Sequence, residues 1–369
     1  MHINVRIVVL FVFATAVCLS CSSVYAQTVV NDNWTGGGVG ALCGGTYSNG
    51  CWSNPANWSN GVPNNSNDGM TVYNVIIDSG GTDNAILDMN VTINSLVLGG
   101  TKGTAVSTLS SETNKTLGIT GSLNVNKEGK LDFKENVLTV SGNTIVAGRL
   151  FDANGTFSFN TLTNSATISM TGVKTFPAVF EAASIANTGT IDLGGNSALN
   201  CGGIYTQTKG TTSLTGPASI SAASFSVSGG TIHGSGTING DVNLTNGKMV
   251  VVLTQSGGLA YNNFTIAGDF TETTKSVLSE AFGDDYPLKT AFPIASGTAN
   301  VSGTLDVSFP DESPVVGDSS PVVVGQGGIT GTFSTLNLPA LPAGETWDVN
   351  YNGVYEDYPA VVITVVATN

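Results

Sequence analysis

Carboxylates are the most numerous ionisable groups in this chain, and four pairs stand close in sequence: Asp83 with Asp88, Asp284 with Asp285, Asp311 with Glu312, and Glu356 with Asp357. Two carboxyls flanking a sugar bond, about 5–10 Å apart, would hydrolyse a glycoside. Neighbours on an extended chain point to opposite faces, so the last three pairs fit solvated loops better than a dyad. A polysaccharide lyase would need clustered acids and an arginine or lysine base. Arg149, in "AGRLFD" near Asp152, is the one arginine after Arg6, and a surface ion pair or turn contact accounts for it. His233, in "TIHGSG", has no acid beside it in sequence and reads as a turn residue. "GDDYP" lacks the alternating Asp/Asn/Gly pattern of a calcium loop. Two histidines and five cysteines leave no zinc cluster of usual form. "GGGVG" near Gly36 precedes no helix, so it is no phosphate loop. The expectation is no catalytic residue, no metal and no cofactor.

The tryptophans are the other candidates. "WSNPANWSNGVPNN" sets Trp52 and Trp58 in a run of turn residues without charge. Exposed and coplanar, the two indoles would make a stacking platform for sugars. Buried, together with Trp34, they would seal the open end of a core, each indole N–H bonded to a turn carbonyl. Cys43 and Cys51 flank a Gly/Ser/Asn loop and could bridge in an oxidising compartment; spacing alone does not establish it. Cys201 has no evident partner and reads as a small buried residue.

An export leader precedes all of these. Ile7 to Leu19 is apolar and too short to span a bilayer comfortably. Val24-Tyr25-Ala26 then offers a cleavage site before Gln27. Lipid anchoring at Cys21 is the rival, but Cys18-Leu19-Ser20 is a poor lipobox. After cleavage 26 acidic groups face 11 basic ones, a net charge of about −15. That balance argues against nucleic acid and anionic membrane partners. Only 10% of residues are charged, so solubility rests on Ser, Thr, Asn and Gly.

These groups must be carried on strands. Long amphipathic helices are absent, the best candidate being the short "TKSVLSEAF" from Thr274 to Phe282. The remainder alternates β-branched and small polar residues, cut by Gly, Asn and Ser. A Thr-Ile pair recurs at Thr144-Ile145, Thr167-Ile168 and Thr190-Ile191, each 23 residues after the last. Another such step reaches Ser213-Leu214, and Thr231-Ile232 and Thr237-Ile238 follow. Coils of this length stack into a parallel β-solenoid, in which apolar residues pile into a central column. A β-sandwich would place turns every 8–12 residues without that register. The expected architecture is all-β: a solenoid over residues 91–256, preceded by a leader (1–26) and a Trp-rich cap (27–90). A β region (257–369) continues or closes the column. Ile145, Ile168 and Ile191 should lie in neighbouring core layers.

In this order, "WSNPANWSNGVPNN", "VTINSLVLGG", "VSGGTIHGSGTINGDVNL", "GTANVSGTLDVSF" and "GITGTFSTLNLPAL" resemble the passenger regions of bacterial autotransporter-like and filamentous-haemagglutinin-like surface proteins. The resemblance implies a right-handed parallel β-helix, export, and an adhesive or structural role. The chain ends "VVITVVATN" rather than in the alternating strands of a membrane barrel, which favours free secretion over surface attachment. The expected partners are an extracellular glycan or a host or neighbouring surface, with self-association along the solenoid ends as a further route. A carbohydrate-binding module and a polysaccharide-active β-helix enzyme are the alternatives.

Overall fold

The computed structural model describes residues 27–38, 41–43, 46–48, 50–65, 69–81, 83–100, 105–252, 255–256, 260–261, 264–281, 292–309 and 314–368. The expected leader, Cys21, Asp284 with Asp285, and Asp311 with Glu312 lie outside them. The regular structure of the described chain is all strand except one 3-10 turn, Pro55–Asn57, with no α-helix. Its strands stack in parallel as a β-solenoid.

A middle coil shows the construction. The strand Val137–Val146 is followed by the short strand Arg149–Ala153, and the chain re-enters the next layer at Thr156. The long strand's ladder slips between Val140 and Asn143, so this strand covers two faces and the short one a third. The first two faces belong to a sheet of 20 described strands and the third to a sheet of 12. Alternation sorts the side chains: Leu138, Val140, Thr144 and Val146 turn inward, while Thr139, Asn143 and Ile145 turn outward.

The inward residues form columns. On the third face Leu131, Leu150, Ile168, Ile191, Thr212, Ile232 and Met249 occupy one position on successive coils, all of them buried. Each large member contributes about 1.5–3 kcal/mol by leaving water. On the first face the Phe157 and Phe180 rings stack at 4.8 Å, and on the second Tyr205 stacks on Phe225 at 4.2 Å.

Ile168 and Ile191 are core neighbours as expected, but Ile145 is not. It faces solvent, 46% exposed, on the second face beside Asn124 and Thr163. Leu150 fills the slot under Ile168 instead. The Thr-Ile pairs at 144 and 167 belong to different faces, so their 23-residue spacing is not a coil length. Thr212 rather than Leu214 sits on Ile191, because that coil is two residues shorter. The best helix candidate of the sequence contains instead the strand Val277–Ala281, laddered between Lys248–Val251 and Thr304–Ser308. Two waiting strand edges outweigh a weak helical preference.

Where the second face meets the third, the core is polar. Asn164 donates to Asn187 Oδ1 at 2.9 Å, Asn187 to Gln207 Oε1 at 3.2 Å, and Thr212 to Gln207 Oε1 at 2.5 Å. This ladder satisfies turn carbonyls that burial would otherwise strand: Asn164 donates to Thr190 O and Gln207 to Thr231 O. The same turns need glycine. Gly210 has φ +71°, and a Cβ there would fall 1.9 Å from Gly189 O.

Both ends are covered. At the first, Trp34, Trp52 and Trp58 pack into the same core cluster as Val75 and Leu87. Trp52 Nε1 donates to Pro63 O and Trp58 Nε1 to Trp52 O. Cys43 and Cys51 form a disulfide, with Cα atoms 5.5 Å apart. At the other end the antiparallel hairpin Glu345–Tyr355 and Tyr358–Ala367 closes the column. Trp347 stacks on Phe309 and donates to Pro339 O.

Candidate functional site

The third face carries a shallow concavity of about 290 Å³. Three successive short strands build it: Gly129–Lys134, Arg149–Ala153 and Thr167–Gly172. Parallel register sets Asp132, Phe151 and Ser169 side by side at one outward position. Lys134 and Thr171 stand two residues along, flanking Ala153. Coils repeat at about 4.7–4.9 Å and alternate residues at about 6.5 Å, so the outward groups form a fixed grid.

Phe151 is the half-buried centre. Lys130 Nζ lies 5.3 Å from the ring centroid and 2.7 Å from Asp132 Oδ2. The ring is thus anchored on one side by a cation that is itself neutralised. Asp152 also borders the concavity, but its side chain turns inward, in register with Phe133 and Met170. Burial pushes this carboxyl up to about 7, although the Gly155 N–H bonded to Oδ1 pulls the other way. Its Oδ2 has no hydrogen-bond partner.

Arg149 and Asp152 are not brought together. Arg149 is exposed and Asp152 buried, because residues three apart on a strand point to opposite sides. No ion pair forms between them, and the Arg149 guanidinium is not among the groups around the concavity. Asp83 and Asp88 are each engaged as acceptors: Asp83 from Ser79 and Ser107, Asp88 from Ser53. Glu356 and Asp357 occupy the tip of the closing hairpin, both at positive φ.

The tryptophan platform is also corrected. Trp52 is 0% and Trp58 5% exposed, and their rings meet edge to face at 62°. Neither offers a free face for stacking, because the 3-10 turn Pro55–Asn57 folds both indoles onto the core end. The single cluster of potential metal ligands among the described residues is Cys43, Cys51 and Asp88, and its two thiols are bonded to each other.

Register also produces a grouping that sequence separation hides. Asp192, Ser213 and His233 share one outward position on three successive coils. Partial burial raises the Asp192 carboxyl and His233 draws it back down. The serine stands between acid and imidazole, whereas a hydrolytic relay needs the imidazole in the middle. No hydrogen bond joins the three among the described residues. Strand register, which depends on turn lengths, is the only signal that would have found them.

The fold therefore defines a parallel β-solenoid with both ends covered and a shallow concavity on its short-strand face. No protein-family model and no curated protein sequence matches the chain.

Proposed function

We propose that this chain is a secreted or cell-surface solenoid that makes extracellular contacts, and that its third-face concavity receives carbohydrate. The leader-like start, the resemblance to bacterial surface passengers and the stacked coils support an extracellular role. The observation that carries the reading is Phe151: a half-buried ring set among Asp132, Ser169 and Lys130 on a strand laddered on both sides. An aromatic face beside fixed hydrogen-bonding groups suits the C–H face and hydroxyls of a sugar. A glycan array probed with residues 27–369 and with the Phe151→Ala variant tests it. Binding to a subset of glycans that Phe151→Ala abolishes is expected. An unlabelled array, or a labelled one that the variant leaves unchanged, contradicts the assignment.

A further inference from the structure

The basic groups of this acidic molecule are unevenly placed. Of the 11 that follow residue 26, Lys115, Lys127, Lys130, Lys134 and Arg149 fall within 35 consecutive residues. Lys130, Lys134 and Arg149 lie on the two coils that meet at Phe151. Lys130 and Arg149 stand side by side in register, an unfavourable arrangement for like charges. Lys130 is drawn aside to Asp132. Lys134 and Arg149 remain exposed, and neither forms an ion pair among the described residues. Four acids share these coils, of which Asp152 is turned inward and buried. Asp132 is occupied by Lys130, Glu128 precedes the strand, and Glu135 follows Lys134 in a turn at positive φ. Along the strands Lys134 and Arg149 stand on either side of Phe151, on a chain whose net charge is negative.

We propose that the concavity selects an acidic glycan, whose sugar ring lies against Phe151 and whose carboxylate or sulfate groups reach Lys134 on its lining and Arg149 outside it, two residues before Phe151 on the same strand. The proposal rests on the carbohydrate reading above and narrows it to one ligand class. The strongly negative remainder disfavours densely charged polyanions such as nucleic acid. A polymer with one charge per sugar matches two cations separated by a ring.

Titration calorimetry with oligogalacturonate, a sulfated oligosaccharide and a neutral oligomer of equal length separates the outcomes. The wild-type chain should bind one of the acidic oligomers at least about tenfold more tightly than the neutral one, and more weakly as salt rises. Lys134→Gln with Arg149→Gln should remove that preference and leave neutral binding as it was. Lys209→Gln, on a different coil, should change nothing. Both substituted side chains are exposed, and an unchanged melting temperature verifies the fold. Equal affinity for acidic and neutral oligomers, or a preference that survives the double substitution, overturns the acidic-glycan assignment while carbohydrate binding stands. Absence of binding to any oligomer, with the array also blank, overturns both.

Discussion

Among the buried carboxyl oxygens without a hydrogen-bond partner are Glu272 Oε2 and both oxygens of Glu280. The two side chains point into one coil from its second and third faces, with Ser276 buried in the turn between them. A carboxylate held away from water costs several kcal/mol. Burial pushes Glu272 up to about 8, against the Ser276 hydroxyl and Ser302 N–H that lower it. Burial raises Glu280 well above the usual range, and the neighbouring Glu272 adds to that rise. Both acids hold protons more tightly folded than unfolded. Stability is therefore complete below their ordinary value of 4.5 and declines as pH rises through about 8. Asp152 adds a loss of the same sign, between its ordinary 3.8 and about 7. Thermal melts should show a higher Tm near pH 5 than near pH 8.5, with a smaller gap in Glu280→Gln. An equal gap in wild type and variant would remove these acids from the explanation.

Elements hold together through the corner ladder and the glycine turns. Asn187 exchanges hydrogen bonds with Asn164, Gln207 and Thr212 and accepts from Gly189 N. Asn187→Ala leaves several buried partners unsatisfied and should cost about 2–4 kcal/mol in denaturant unfolding. Gly210→Ala must fit a Cβ against Gly189 O at a positive φ, and should cost at least about 1–3 kcal/mol by the same measurement. Losses below 0.5 kcal/mol (about the effect of an ordinary surface substitution) would mean that the turns do not stack as described. Repetition was legible in the sequence because inward Leu, Ile and Val alternate with Thr and Ser in every coil. Phase was not. A Thr-Ile pair looks the same whether its Ile packs inward, as at Ile168, or faces solvent, as at Ile145. Turn length decides between them: Leu150 to Ile168 is 18 residues and Ile168 to Ile191 is 23. The same uncertainty of phase concealed Lys130, Phe151 and Ser169 as neighbours, and Asp192 with His233.

At the scale of the whole molecule the two ends decide whether the column stays single. Open solenoid ends invite edge pairing. Here the tryptophan cluster and the closing hairpin cover the core. Trp52→Ala removes a fully buried ring that packs on Trp58. It should cost about 3–5 kcal/mol and shift the chain toward larger species in sedimentation, where the native chain should run as a monomer. Reducing the Cys43–Cys51 bridge, which closes a short loop of separation 8, should cost about 2–3 kcal/mol. A reduced chain with unchanged unfolding would show that the bridge does not constrain the cap. The tryptophan run was recognisable as an unusual segment, but its choice between cap and platform required the fold, since burial is not written in the spacing of Trp52 and Trp58.

Cysteine accessibility tests the stacking of coils, and hence the contact face built on it, most directly. Single cysteines placed at Ile145, Leu150, Phe151, Ile168, Ser169 and Ile191 can be challenged with a thiol reagent under native, non-reducing conditions, where native Cys201 is buried and the remaining described pair is bridged. Rapid labelling at positions 145, 151 and 169, with protection at 150, 168 and 191, is the expected result. Protection at 145 with labelling at 150 or 168 would contradict the stacking, and with it the concavity around Phe151.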